Sequence, residues 1–456
     1  MLQRHRGALT VAVLCLAPVA LWAVAIPFDA RFAGLQTSLT SIGAALGIAG
    51  VAAFALNLVL GARIKSLESY FGGLDGLYRV HRINGRVAFL LLLSHGVLIF
   101  AAQATASLGD ALRFLLPTSS WTVTFGVIAL LLMSVSIGLT LYGRLGHETF
   151  VYVQRTFGVI FLVGALHVFL TPGTKAVSAP LKYYLISITA LGIAAYVYRS
   201  VLGESLVPRR DYRVETVNHL GPGVMEIAMS PVAEPLSFIP GQFAFVTFRS
   251  EILKRHFRPF SIFSEGQFGI LVMRPGAVAH QYHPFSITSS PNGRTLSVVV
   301  KAVGDYTKAM AQLERGAGAR IEGPYGTFSY LRIDNPRQVW IAGGIGVTPF
   351  LSMARSLEPS AREIDFYYAM EDGHQGYYLD EFYAIADRVP RLRVIPIRRD
   401  RLGFVTAADI QGVSRNLAEK DILICGPPPM VRGLTDQLIE LGVPRSQIHY
   451  ELFGFV

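Results

Sequence analysis

Six apolar stretches crowd the first 200 residues of this 456-residue chain, at about 8–26, 38–60, 82–103, 121–142, 150–170 and 181–200. Each is long enough, and poor enough in charge, to cross a hydrocarbon core about 30 Å thick as a helix. Such a run leaves few folds open. In hydrocarbon every backbone polar group must be satisfied within the protein, so these stretches read as a helical bundle. The first follows the basic start MLQRHR, as a secretory signal does. Pro27-Phe28-Asp29 is a poor cleavage site, however, and five more spans follow, so it is expected to remain as helix 1.

The basic residues orient the bundle. Arg4, Arg6, Arg63, Lys65, Arg79, Arg82, Arg86, Arg144, Arg199, Arg209 and Arg210 fall on one side of a six-helix arrangement. The other side has sparse charges: Asp29, Arg31, Asp110, Arg113, Lys175 and Lys182. The positive-inside bias then predicts a multi-pass cell-membrane protein with both termini cytoplasmic. This edge accounts for most of the net charge of +10. No stacked-aromatic motif accompanies it, so nucleic acid is not an expected partner. The two cysteines, Cys15 and Cys425, allow neither a zinc site nor a disulfide framework.

After Arg199 the pattern changes. Residues 211–330 show short alternating runs broken by Gly and Pro, such as RVETVNHL, PGQFAFVTF and TLSVVVKAVG, the signature of a small antiparallel barrel. From 336 the pattern is strand, Gly loop, helix: RQVWIAGG, TPFLSMARSL, EIDFYYAM, LRVIPI and DILICGPPPM, a βαβ nucleotide-binding domain with a parallel sheet. The expected architecture is multi-domain: a six-helix transmembrane domain over 1–205, a β-barrel domain over 206–332 and an α/β domain over 333–456. One repeat interrupts the barrel. Gly241-Gln242-Phe243 recurs as Gly266-Gln267-Phe268, and Pro259-Phe260-Ser261-Ile262 as Pro284-Phe285-Ser286-Ile287, while Arg249 with Arg274 and Ser264 with Ser289 keep the same offset. A constant offset without a gap reads as a tandem duplication over 240–289, expected to add strands or a hairpin.

Histidines in membrane spans are rare and usually functional. His81 and His95 are fourteen residues apart on one span, a spacing that returns to nearly the same helix face roughly 21 Å further along. His95 and His167 lie at matching depth on parallel spans, so they are expected to ligate one b-type haem from both faces, which favours electron transfer. His81 sits at the expected cytoplasmic mouth of helix 3 among Arg79, Arg82 and Arg86, where an anionic group is also welcome. His147 reads as interfacial.

Downstream, His283-Pro284-Phe285-Ser286-Ile287-Thr288-Ser289 joins a barrel strand to a polar turn, a place for FAD with hydroxyls for its polar chain and an aromatic along its rings. Lys301 and the Gly323-Pro324-Tyr325-Gly326 turn strengthen that reading, since glycine allows close backbone approach. Arg258 in the first copy has a possible phosphate role but is expected to be structural. Gly343-Gly344-Ile345-Gly346-Val347-Thr348-Pro349 follows a strand and opens a helix, where a dinucleotide pyrophosphate is expected. Cys425-Gly426-Pro427 ends a later strand at the same edge; its thiol either flanks the nicotinamide or is simply buried in a tight turn.

The paired histidines, PGQF followed by HPFS, GPYG, GGIGVTP, CGPPPM and the end Phe453-Gly454-Phe455 occur in an order that resembles the NADPH oxidase and ferric reductase superfamily over about residues 38–456. The resemblance implies six helices binding two b-type haems, a ferredoxin-reductase-like module for FAD and NADPH, and electron flow from nicotinamide to flavin to haem to an outer acceptor. It also implies that Phe455 or Phe453 covers the flavin until nicotinamide displaces it. Three departures stand out. The family pattern calls for a histidine thirteen residues before His167, where this chain has Gln154; the inner haem is then weakly or unusually bound, or absent with flavin reaching deeper. Glu371 and Asp372, where NADPH users place an arginine, lean toward NADH unless Arg398, Arg399 or Arg401 compensates. The duplication is the third. The expected activity is that of a transmembrane NAD(P)H oxidase or ferric-chelate reductase, with dioxygen or a ferric chelate as small-molecule acceptor. The alternatives are a haem- and nucleotide-binding sensor without turnover, or a donor to a quinone or partner protein.

Overall fold

Six long helices account for almost all of the first 200 residues in the computed structural model, which describes residues 2–116, 120–143, 147–171, 178–249, 282–359, 362–371 and 376–452. The chain divides into two compact units, Met1–Val207 and Pro208–Val456. The first unit holds α1 (Leu2–Ala25), α2 (Leu35–Gly61), α3 (Leu74–Ala104), α4 (Trp121–Tyr142), α5 (His147–Leu170) and α6 (Ala179–Tyr196), the last continued by a π turn over Val197–Val201. All six are long and apolar enough to span a membrane. Leu9, Leu16, Leu90, Val97, Leu131 and Val135 point outward, as hydrocarbon rather than water requires.

Small residues set the packing of this unit. The buried face of α2 is Gly43, Gly47, Ala49, Gly50, Ala52, Ala53 and Ala55, so α1, α3 and α6 all come close to it. Between helices in a membrane, close approach through small residues replaces the hydrophobic drive available in water. One boundary differs from the sequence reading: α3 starts at Leu74, eight residues before the apolar stretch. Asp75, Arg79 and His81 lower the hydropathy there, but helix geometry continues back to the Gly72-Gly73 break, both at positive φ. His81 therefore lies two turns inside α3 rather than at its mouth.

The second unit holds two sheets. Strands β1 (Arg209–Gly221), β2 (Val224–Pro231), β3 (Phe243–Arg249), β4 (His283–Ser286), β5 (Leu296–Lys301) and β6 (Gly318–Tyr325) form an antiparallel sheet in the order β4-β3-β6-β1-β2-β5. A bridge from Ile287 to Val298 joins its two ends into a barrel around Tyr212, Ile227, Val246, Val298 and Ile321. Strands β7 (Arg337–Gly343), β8 (Glu363–Met370), β9 (Leu392–Arg398), β10 (Asp421–Gly426) and β11 (Ile448–Leu452) form a parallel sheet in the order β11-β10-β7-β8-β9. Helices α7 (Thr348–Arg355), α8 (Leu379–Arg388), α9 (Ala407–Ser414) and α10 (Pro428–Glu440) make the crossovers. Both faces of this sheet are covered, which explains runs such as VWIA and ILIC with no polar alternation. Of the duplication, Phe243 in the first copy pairs with Ser286 in the second, and Val246 with His283. The inner halves, Arg258 to Ser264 and Gly266 to Arg274, lie outside the described residues.

Candidate functional site

Three imidazoles in the helical unit are held by one local device. His95 Nδ1 lies 2.8 Å from the carbonyl oxygen of Gly43, His167 Nδ1 2.8 Å from that of Thr122, and His81 Nδ1 3.0 Å from that of Asn57. A helix carbonyl points along the axis toward the residue four places on, so a ring that reaches it must lie against that residue. Those residues are Gly47, Gly126 and Gly61. A Cβ on Gly47 would stand 2.8 Å from His95 Nδ1, one on Gly126 2.9 Å from His167 Nδ1, and one on Gly61 3.4 Å from His81 Cε1. A carbonyl only accepts, so each Nδ1 donates and each Nε2 presents its lone pair.

His95 and His167 face each other, with ring centroids 6.2 Å apart and planes inclined by 58°. Two metal–imidazole bonds of about 2 Å, with a ring radius at each end, come to about 6 Å, so one metal atom fits between them. Among the described residues no group of three or more His, Cys, Asp or Glu side chains is gathered to hold a bare ion. Two imidazoles without further protein ligands suit a metal that brings its own in-plane ligands, as haem iron does.

The barrel places the expected flavin residues on β4 and the turn after it. Ser286 is buried, and its Oγ has no partner among the described residues, an orphan that a bound polar group would satisfy. Pro284 and Phe285 are half-buried beside it. The His283 ring stacks on Tyr306 at 4.1 Å, and burial pushes the Tyr306 hydroxyl up to about 12. Thr288 and Ser289 turn inward instead. The Thr288 hydroxyl meets that of Ser297 at 3.1 Å, and Ser289 Oγ accepts from the Ser297 N–H at 3.2 Å. The GPYG turn is tied to the PGQF loop by Gln242, whose Nε2 donates to the Gly326 carbonyl at 3.0 Å. Gly323 and Gly326 both have positive φ, and Tyr325 donates to buried Glu322 at 3.0 Å. Lys301 ends β5, exposed.

In the parallel sheet the chain runs outward through β7, β8 and β9, then returns to the other side of β7 for β10 and β11. The order reverses between β7 and β10, and ligands of open α/β sheets bind beyond the strand ends at such a reversal. The strand ends there are Gly343-Gly344 and Cys425-Gly426. Gly343, Gly346 and Gly426 pack the two turns together: a Cβ on Gly426 would stand 3.2 Å from Gly343 Cα, and one on Gly346 would strike the Cys425 carbonyl. Gly344 differs. It has φ +54° and nothing within 4 Å of an added Cβ, which leaves room for a phosphate. A 3-10 turn over Gly344–Val347 precedes α7, in which Pro349 occupies the first turn and Thr348 donates to Ile345 O at 3.0 Å. Cys425 is fully buried in the core, and Pro427 caps α10. Glu371 follows β8 and pairs with Arg399 at 3.4 Å, while Arg399 also lies 4.1 Å over the Phe404 ring. Asp372, Phe453 and Phe455 lie outside the described residues.

Sequence reasoning missed several residues. Gly47 and Gly61 are fourteen apart, the spacing of His81 and His95, and that match was a readable signal. Arg355 had none: it bonds Glu381 at 2.7 Å, Glu226 at 3.4 Å and the Thr288 carbonyl at 3.0 Å, fastening the barrel to the nucleotide domain.

Comparison with known proteins divides the chain the same way. Residues 46–165 match the ferric reductase like transmembrane component, 263–329 an FAD-binding domain and 340–436 an oxidoreductase NAD-binding domain. A flavohemoprotein of Rhizobium meliloti (strain 1021) is 28% identical over 188 residues, 37% of this chain and 46% of that protein. The ferredoxin–NAD(P)(+) reductase component of naphthalene 1,2-dioxygenase/salicylate 5-hydroxylase systems from Ralstonia sp. is 29% identical over 235 residues, 49% of this chain and 62% of that protein. The chain thus spans less than two thirds of either relative. Among solved structures, the flavohemoglobin of Malassezia yamatoensis aligns with a TM-score of 0.48 at 16% identity, over 92% of this chain and 97% of that one.

Proposed function

We propose, from the premise that this chain has the domain architecture of NADPH oxidase and ferric reductase-like proteins, that it passes electrons from cytoplasmic NAD(P)H through FAD and haem b to an acceptor across the membrane. The coarser part follows from the architecture itself: the chain is an integral, multi-pass membrane oxidoreductase with FAD- and NAD-binding domains. The observation that carries the finer part is the His95–His167 pair, 6.2 Å apart with both Nδ1 atoms anchored. When bound, haem between them supplies one-electron transfer without a vacant position for chemistry at the iron.

The chain's own residues do the positioning. Gly43 and Thr122 hold the two imidazoles in the ligating tautomer before the metal arrives. Ser286 and His283, on β4, flank the flavin, with Phe285 beside the rings and Thr288, Ser289, Lys301, Gly323 and Tyr325 shaping the strand ends around it. When bound, FAD accepts a hydride and releases electrons singly. Gly344 receives the nicotinamide cofactor's pyrophosphate, with Gly343, Gly346, Thr348, Pro349, Gly426 and Pro427 fixing that turn. Glu371 faces the adenosine ribose and favours NADH. Cys425 lies beneath the nicotinamide, and Phe455 covers the flavin until nicotinamide arrives. The basic edge of the bundle puts both termini and the nucleotide domains in the cytoplasm. The acceptor on the far side is dioxygen, giving superoxide, or a ferric chelate.

The test uses purified full-length protein in detergent without oxygen. NADH is expected to reduce bound haem in the wild type, and His95→Ala and His167→Ala are each expected to abolish the bis-imidazole spectrum. Unchanged spectra in both variants would remove haem from this pair. Superoxide formation in air, against ferric chelate reduction without it, chooses the acceptor. Turnover of neither would sink both choices.

A further inference from the structure

The imidazole anchors form a repeat with one corner changed. His81 and His95 are fourteen residues apart on α3, and their anchors on α2, Asn57 with Gly61 and Gly43 with Gly47, are fourteen apart as well. Fourteen residues along α4 from Thr122 and Gly126 stand Ser136 and Thr140. There the carbonyl is already engaged, because Thr140 Oγ1 donates to Ser136 O at 2.7 Å. The side chain that reaches this corner from α5 is Gln154, thirteen residues before His167, and its Nε2 donates to Thr140 Oγ1 at 3.5 Å. A threonine where the other corners have glycine fills the room that a ring edge needs. Its hydroxyl also takes the acceptor that would fix an Nδ1. The α4–α5 half of the inner site is thus rebuilt as an amide–hydroxyl pair, while the α2–α3 half matches the outer site.

That α2–α3 half is also reinforced. Asn84, three residues after His81 and buried, donates to the Ala53 carbonyl at 2.7 Å and to Asn57 Oδ1 at 3.3 Å, and accepts from Cys15 Sγ at 3.8 Å. Buried polar side chains are costly within a membrane and mark function there. These tie α1 and α2 to the turn of α3 that carries His81.

We propose that His81 is the single strong axial ligand of a second haem whose opposite face, at Gln154 and Thr140, is open to a small diatomic ligand. The proposal rests on the haem reading of the bundle and extends it to the inner site. Iron held by one imidazole keeps a sixth position for an incoming ligand, whereas iron between His95 and His167 does not. A neutral amide oxygen suits harder cations and competes poorly for this iron. The Gln154 amide and Thr140 hydroxyl then line the open face with polar groups, which decide how a small ligand is received.

Carbon monoxide is the probe. Purified full-length protein is reduced with dithionite, and the haem-to-chain ratio and carbon monoxide difference spectrum are recorded. The expected ratio is near two, with about half of the haem taking up carbon monoxide. His81→Ala is expected to lose that half and the whole response. The double variant Thr140→Gly with Gln154→His, which rebuilds the missing corner, is expected to keep the ratio and lose the response. A single haem without a response, two haems without a response, or a response that survives His81→Ala overturns the proposal. His95→Ala distinguishes the wider reading: it alters the six-coordinate signature and leaves the response in place. Protein without any haem would refute that wider reading itself.

Discussion

Replacing Gly126 by alanine adds one methyl group at the point where His167 meets α4. The new Cβ would stand 2.9 Å from His167 Nδ1. Comfortable contact lies near 3.5–4.0 Å, so the ring must retreat by about half an ångström or more. The same movement stretches the 2.8 Å bond to the Thr122 carbonyl. Two effects oppose each other. Alanine favours the helix over glycine by about 1 kcal/mol. Overpacking costs about 1–3 kcal/mol, and losing the hydrogen bond that orients a metal-bound histidine weakens metal binding about 10–100-fold, or roughly 1.4–2.7 kcal/mol. The costs win. Gly138→Ala on the same helix is the control, since nothing lies within 4 Å of its added Cβ and only the helix gain applies. The assay is haem retention against an excess of a haem-scavenging apoprotein, with thermal melts alongside. Gly126→Ala is expected to lose haem about 10–100-fold more readily than Gly138→Ala. Equal retention by the two variants would refute the carbonyl-and-glycine account of how the ligand is held.

Four further outcomes are expected. Ser286→Ala leaves FAD-free protein as stable as before or more so by up to about 1 kcal/mol, because it removes a buried hydroxyl without a partner, while FAD affinity drops about tenfold; equal FAD affinity in a binding titration would separate Ser286 from the flavin. Arg355→Ala strands Glu226 and Glu381 and costs about 2–3 kcal/mol, less than for a fully buried pair because the side chain is 20% exposed; a denaturant melt of the full chain reads the loss. Glu371→Gln frees Arg399 and shifts the ratio of kcat/KM for NADPH over NADH upward by about tenfold, and an unchanged ratio would place the adenosine elsewhere. Tyr306 keeps its proton up to about pH 12 when folded, whereas the unfolded chain releases it near pH 10; its contribution is therefore full below about pH 10 and lost as pH rises toward 12. Tyr306→Phe should flatten that fall in Tm, and an identical slope would count against it.

The parts of this molecule that repeat with a simple period were legible in the sequence. Six apolar stretches became six helices, and alternating runs became barrel strands, because both patterns follow from helix and strand geometry alone. His95 and His167 were readable as a pair from depth. The beginning of α3 was not, since Asp75, Arg79 and His81 interrupt the hydropathy but not the helix. Strand order was illegible too, because antiparallel neighbours such as β1 and β6 lie about a hundred residues apart and nothing local announces them. Thr288 and Ser289 looked like ligand hydroxyls by type, yet both are engaged by Ser297 across the turn. Gln154 was visibly the odd residue at its position; that Thr140 and Ser136 had changed with it needed the packing of α4 on α5.

The three imidazoles lean on acceptors that belong to the main chain. No substitution at Gly43, Asn57 or Thr122 other than proline, which would disrupt the helix around it, removes the carbonyl oxygen that each histidine uses. Half of every anchor is therefore immune to ordinary sequence drift, and all of the vulnerability is concentrated in the glycine one turn further on. A chain built this way can diverge freely along α2 and α4 and still present its ligands at the same angle. A single added methyl at one of three glycines is the change it cannot absorb.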